Sequence, residues 1–159
     1  YCLRIMGKYE RNAGRVPAAE QMFQQSLSLR KQFDFPNEIA ALNIELARSR
    51  FDAGDYGGAR DLLATVIANR SSPDRSEALL HLAGVHIRLG DFDAADSYLK
   101  EAAPDVERRR QGLRPMLYLK RGELAAERGQ WSDARSAFAS AARLWKDDLP
   151  DVSSVEASG

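Results

Sequence analysis

Cysteine and histidine are nearly absent from this chain of 159 residues, which contains one Cys and two His. A single cysteine excludes an internal disulfide, and the apolar pattern around Cys2 predicts a buried, unreactive thiol. His81 and His86 stand five residues apart, whereas metal ligands on one helix are usually spaced by three or four. The sequence therefore predicts no metal and no cofactor.

The sequence motifs of catalysis are also missing. The chain has no glycine-rich phosphate loop, no Gly-x-Ser-x-Gly, no His-Glu-x-x-His and no dinucleotide fingerprint. Glu123 and Glu127 would share a helix face, but a charged face is the ordinary state of a solvated helix. We therefore expect a protein that is not an enzyme.

Excess charge and long apolar runs are missing as well. The 23 basic and 23 acidic residues give a formal net charge of zero, whereas nucleic-acid-binding domains usually have a basic excess. The densest basic cluster, residues 107–110 with Arg114, is expected to be a solvated connector; the alternative is a phosphate-binding patch. No run approaches the 18 apolar residues of a membrane-spanning helix. We expect no nucleic-acid or membrane partner, and a cytoplasmic location.

The chain does contain one phrase repeated four times: a glycine, a polar residue, a bulky apolar residue, two further residues and an alanine. The glycines are spaced by 40, 36 and 39 residues, and a period of this length indicates a repeat array. A Phe or Leu follows each alanine by four residues, one helical turn further on. The signature residues are Gly14, Ala19, Phe23, Gly54, Tyr56, Ala59, Gly90, Phe92, Ala95, Gly129, Trp131, Ala134 and Phe138.

Each phrase predicts a turn between two antiparallel helices. The glycine allows a left-handed C-terminal turn, and Asp55 and Asp91 can cap the helix that follows. The bulky residue, Trp131 in the last copy, is expected to anchor the second helix against the first. Pro104 is expected to end or kink a second helix, and Pro115 to lie near the start of the last first helix. The predicted fold class is therefore all-α.

This pattern resembles the tetratricopeptide repeat family, whose motif has Leu-Gly before the turn and Ala-x3-Phe after it. The residues at the Leu-Gly position are Met6-Gly7, Leu46-Ala47, Leu82-Ala83 and Arg121-Gly122. The resemblance covers about residues 2–146. It implies a right-handed superhelical array of four hairpins at 1–35, 36–72, 73–111 and 112–146, with a tail or truncated helix at 147–159. The long spacings are similar to those of repeats in multidomain bacterial regulators.

The resemblance also implies which first-helix residues line the concave groove of the array. Basic residues come first, apolar residues lie in the middle and an acidic residue comes last. A segment with an acidic end, an apolar centre and a polar or basic end would complement this order. The implied groove residues are Arg4, Lys8, Arg11, Ile44, Arg48, Phe51, Leu80, Ile87, Arg88, Leu119 and Glu123.

Taken with the resemblance, these features lead us to expect a protein–protein interaction or regulatory module. Its partner would be a protein, a peptide or another domain of the same parent chain, in a bacterial signalling protein. One alternative is a structural spacer or oligomerisation scaffold that self-associates through the ends of the array. The other is a small-ligand sensor or enzyme that uses the groove.

Overall fold

The computed structural model describes residues 2–32 and 36–147, and these form eight α-helices with one short 3₁₀ turn at Gln111–Leu113. Of the tail or truncated helix predicted at 147–159, Asp147 is the last residue of the eighth helix, and the remainder lies outside the described residues. The helices are α1 (Cys2–Asn12), α2 (Val16–Gln32), α3 (Pro36–Asp52), α4 (Tyr56–Ala68), α5 (Arg75–Leu89), α6 (Phe92–Arg108), α7 (Arg114–Glu127) and α8 (Trp131–Asp147).

The four repeat glycines lie at the turns between α1 and α2, α3 and α4, α5 and α6, and α7 and α8. All four have φ between 73 and 82°, a left-handed conformation that glycine adopts without a steric penalty. The predicted caps follow directly. The Gly58 amide donates to Asp55 at 2.8 Å, and the Ala94 amide donates to Asp91 at 3.2 Å. The predicted hairpins are therefore confirmed, with the turns at the repeated phrase.

Each hairpin is held together by one small and one large residue that lie sixteen positions apart. In the first and last hairpins the pair is Gly with Phe, and a Cβ added at Gly7 or Gly122 would lie 2.6 Å from the ring of the paired phenylalanine. The two middle hairpins have Ala with Leu at these positions, and both pairs are buried in the core. The loss of a methyl group on one helix thus accommodates a larger side chain on the other.

The cores lie between successive hairpins, because each apolar cluster combines a second helix with the first helix of the next hairpin. One cluster joins α2 to α3, another joins α3 and α4 to α5, and the third joins α5 and α6 to α7. The odd-numbered helices contact one another in order, whereas no two even-numbered helices pack together to the same degree in the described part of the chain. The array therefore curves with α1, α3, α5 and α7 on its inner side.

Two expectations about single residues are wrong, a third is wrong in one of its two alternatives, and a fourth is confirmed. Cys2 is exposed because no helix of the described residues covers it. Trp131 is 70% exposed, so it does not anchor α8 against α7. Pro104 lies inside α6, which continues to Arg108; Pro104 and Lys100 are both exposed, so water can bond the carbonyl that the proline leaves free. Pro115 does lie in the first turn of α7.

The pairing of small and large residues predicts the effect of adding one methyl group. Gly7→Ala should destabilise the protein by about 1–3 kcal/mol, because the ring of Phe23 is fully buried and cannot withdraw. Gly122→Ala should cost less, because Phe138 is 38% exposed and its ring can swing outward. The double variant Gly7→Ala/Phe23→Leu reproduces the pair found in the second hairpin and should recover most of the loss. Urea unfolding midpoints measure all three; equal costs at Gly7 and Gly122 would contradict the pairing.

Candidate functional site

The inner side of the array contains a cavity of about 220 Å³ between α3, α5 and α7. We call it the central pocket. Each of the three helices contributes side chains, so no single hairpin could form it. Its walls are mostly apolar, with charged groups at the rim. The lining residues are Ala47, Arg48, Phe51, Asp52, Leu63, His81, Gly84, Val85, Met116, Leu119 and Lys120.

The shape of the pocket depends on Gly84 and on a fixed aromatic wall. A Cβ added at Gly84 would lie 3.2 Å from the Lys120 side chain, so the glycine gives that side chain room to cross α5. The Lys120 ammonium donates to Glu123 at 2.8 Å. Phe51 packs edge-to-face on Tyr56 with 5.3 Å between ring centroids, a favoured aromatic geometry. The floor and one wall are thus ordered before any ligand arrives.

His81 places a polar group in this largely apolar wall. Its Nε2 atom is buried and has no hydrogen-bond partner among the residues of 2–32 and 36–147. It lies 3.8 Å from a Glu77 oxygen, which is too long for a hydrogen bond. Burial lowers the pKa of His81, and the positive charges of Arg48 and Lys120 lower it further against the opposing effect of Glu77. The imidazole is therefore neutral at pH 7.

Next to the pocket, one buried carboxylate holds three cations on the groove side of α1 and α3. Glu45 binds Lys8 and Arg11 at 2.6 Å each and lies 3.6 Å from Arg48. Burial alone would raise the pKa of Glu45, but the hydrogen bond from Lys8 and the charges of Arg48, Lys8 and Arg11 together lower it. The cluster ties the first hairpin to the second and keeps a net positive charge at this end of the groove.

The structure separates the predicted groove residues into three groups. Arg48, Phe51 and Leu119 line the central pocket, with Lys8 and Glu123 beside it. Arg4 lines a separate small cavity, and Arg88 is exposed at the end of α5. Four residues that the sequence analysis assigned to the groove are buried and expose almost no surface to a ligand. They are Arg11, Ile44, Leu80 and Ile87.

Sequence reasoning missed His81 and Lys120, although a signal for both was present. Together with Glu45, they occupy the same repeat position, nine residues before the repeat glycine. Ile44 and Leu80, at the preceding position, point into the core instead. A titratable residue at one position in three successive repeats was the pattern that marked the groove.

Among the described residues, no three His, Cys, Asp or Glu side chains are arranged to hold a metal ion. None of the helices in this part of the chain combines the length and the apolar character needed to cross a bilayer.

Comparison with known proteins agrees with this architecture. A family model described as tetratricopeptide repeat matches residues 44–109. The solved structure of MamA is 19% identical with a TM-score of 0.60, covering 91% of this chain and 77% of that chain. A Podosopora anserina protein named for kinesin light chain, with nearly identical TPR-like repeats, is 18% identical with a TM-score of 0.60, covering 93% and 76%.

A single-substitution variant of the same Podosopora protein is also 18% identical, with a TM-score of 0.62, covering 89% of this chain and 72% of that chain. At such identities the likeness shows the fold. No curated protein matches the chain. The tetratricopeptide repeat model matches residues 44–109, the same helical hairpin recurs in the flanking repeats, and the chain has an all-α solenoid fold like that of the tetratricopeptide repeat structures.

The cluster around Glu45 makes a testable contribution to stability. Glu45→Gln leaves the buried Arg11 without its carboxylate, and loss of one partner from a buried pair costs about 3–5 kcal/mol. Because the pKa of Glu45 is lowered on folding, this stabilisation is complete above the ordinary glutamate pKa of about 4.3. It is lost as the pH falls through the lowered folded value. Urea unfolding of wild type and variant at a series of pH values measures the difference.

Glu10→Gln is the matched control for this prediction. Glu10 binds Arg15 on the surface, where an ion pair contributes little, so this variant should unfold almost as the wild type does. A Glu45→Gln variant as stable as Glu10→Gln at neutral pH would show that the three cations need no buried partner.

Proposed function

We propose that the chain is a protein–protein interaction module that binds a peptide or helix along its inner face, with one apolar side chain in the central pocket. The observation that supports this most directly is the pocket itself, about 220 Å³ of mostly apolar space formed by three successive odd-numbered helices. Buried apolar anchors dominate the binding energy of such contacts. Tetratricopeptide repeat proteins in general bind proteins or peptides in this way.

The charges around the pocket select the direction of the bound segment. Three cations share the single carboxylate of Glu45, so the groove is positive beside α1 and α3. Lys8 and Arg48 have 43% and 37% of their side chains exposed and can reach a ligand. Toward α7, Lys120 is neutralised by Glu123 and Glu127 is exposed. The proposed ligand therefore has acidic residues at the α1 end, an apolar residue at the pocket and polar or basic residues at the α7 end.

The context of this module is also part of the proposal. Repeat spacings of 36 to 40 residues resemble those of multidomain bacterial regulators, so we propose a cytoplasmic bacterial signalling protein as the parent. The bound segment would be a partner protein or another domain of that parent. The four repeats at 1–35, 36–72, 73–111 and 112–146 would form one domain.

Substitutions in the groove test the proposal. Arg48→Glu/Leu119→Ala reverses one charge and truncates one apolar wall of the central pocket. Peptides selected from a displayed random library against the wild type should bind this variant at least about tenfold more weakly, as expected for two hot-spot residues. Fluorescence anisotropy gives the affinities, and circular dichroism confirms that the variant is folded.

The matched control is Arg60→Glu/Leu29→Ala, which makes the same two changes on exposed positions of α2 and α4. This variant should bind the selected peptides as tightly as the wild type does. If both variants lose affinity equally, or if neither does, the peptides bind somewhere other than the groove and the proposal fails.

A second candidate function is an oligomerisation scaffold, favoured by the apolar surface at the ends of the array. Large apolar side chains with about half of their surface exposed or more lie on the first helix and on the last. They are Ile5, Met6 and Tyr9 on α1 and Trp131 and Trp145 on α8. This role is compatible with groove binding because the two surfaces are separate.

A further inference from the structure

The outer face of α8 carries a stripe of three aromatic residues. Phe138 stands nine residues after its repeat glycine, as do Phe23, Leu63 and Leu99. Those three are at most 2% exposed, whereas Phe138 is 38% exposed. In the earlier repeats the following odd-numbered helix packs beside this position, whereas among the described residues α7 is the helix that packs closely on α8.

Trp131 and Trp145 extend the same face of α8. They precede and follow Phe138 by seven residues each, two helical turns, so all three lie on one side of the helix. They are 70% and 48% exposed. Exposed tryptophans aligned on one helix face are typical of a contact surface, because Trp is enriched among the residues that dominate binding energy.

The outer face of α1 is exposed at the positions where later odd-numbered helices pack against the even-numbered helix before them. Tyr9 stands five residues before its repeat glycine, at the position of Ser49, Val85 and Leu124. Those three are buried, whereas Tyr9 is 75% exposed. Met6, at the position of the buried Leu46 and Leu82, is also exposed. In later repeats the preceding even-numbered helix packs on this side, and among the described residues no helix occupies that place on α1.

We propose that a second copy of this chain docks head to tail, with α1 of one copy packed on α8 of the other. This deepens the self-association suggested above by naming its pairing. In this contact, α8 of one copy and α1 of the other would pair at the same repeat positions as α2 with α3, α4 with α5, and α6 with α7. The contact is heterologous, because it joins two different surfaces. Its free ends can accept further copies, so mass should grow with concentration.

The charges at the two faces agree with this register. Asp96 and Ala125 line one surface depression between α6 and α7. The same repeat positions in α8 and α1 are Arg135 and Glu10, which have opposite charges. Arg135 is exposed and has no ion pair among the described residues. Glu10 binds the exposed Arg15 at the free surface, and that pair can open or be shared on docking.

Two variants, each lacking one of the two docking faces, test the pairing by sedimentation velocity. The buffer is reducing, which excludes disulfides through the exposed Cys2. The tail variant, Trp131→Ser/Trp145→Ser, removes the α8 face. The head variant, Met6→Ser/Tyr9→Ser, removes the α1 face. Both sets of side chains are largely exposed, and circular dichroism checks that the variants fold. We expect the wild type to exceed its 17.7 kDa monomer mass increasingly with concentration.

Each variant alone should remain a monomer, and their equimolar mixture should form a dimer that grows no further. Only a head-to-tail joint gives this result, because the mixture retains one intact α1 face and one intact α8 face. A head variant that dimerises alone would show α8 pairing with α8, which overturns the head-to-tail proposal but not self-association. A wild type that stays monomeric at every concentration overturns both. Neither outcome affects peptide binding in the groove, which is measured separately.

A charge exchange tests the register itself. Arg135→Glu should weaken association by about fivefold, the effect of an exposed ion pair, and adding Glu10→Arg in the same chain should restore it. If Arg135→Glu has no effect, or if the double exchange fails to recover the loss, the two faces do not meet in the register of the internal joints.

Discussion

Packing of each even-numbered helix against the next odd-numbered helix is the contact on which the rest of this structure depends. No hairpin has a complete core of its own. The small and large residues at Gly7 and Phe23, or at Ala83 and Leu99, bring two helices together within a hairpin. The larger apolar clusters are completed only when the following helix arrives. Stability is therefore shared between neighbours, as expected for a solenoid.

The groove and the exposed ends both follow from this contact. Because the odd-numbered helices approach one another on the inner side, the residues nine positions before the last three repeat glycines, Glu45, His81 and Lys120, converge there. On α1 and α8, the residues at the repeat positions that pack between neighbouring hairpins elsewhere remain on the surface of the described part of the chain. The groove supplies a pocket for a peptide, and the ends supply surfaces that match each other.

The hairpins, their turns and their caps could be predicted from the sequence, since the rules that govern them are local. A left-handed glycine followed by an aspartate cap indicates a turn wherever it occurs, and Gly90 with Asp91 shows this in full. The exposure of Cys2 and Trp131 could not be predicted, because it depends on how closely other helices pack over these residues, which local rules do not determine. The burial of Ile44 and Leu80 was also not predicted. A position in the family motif indicates on which side of a helix a residue lies, but it does not indicate how closely the neighbouring helix packs against that side.

Native-state hydrogen exchange tests most directly whether each hairpin depends on its neighbours. At low protein concentration, where copies do not associate, amides of α3 and α5 should be protected most, since each of these helices contributes buried residues to two of the three cores. Amides of α1 and α8 should exchange by local opening at much lower free energy. Protection in α8 equal to that in α5 would contradict the account, because among the described helices α8 packs closely on α7 alone, whereas α5 packs on both sides.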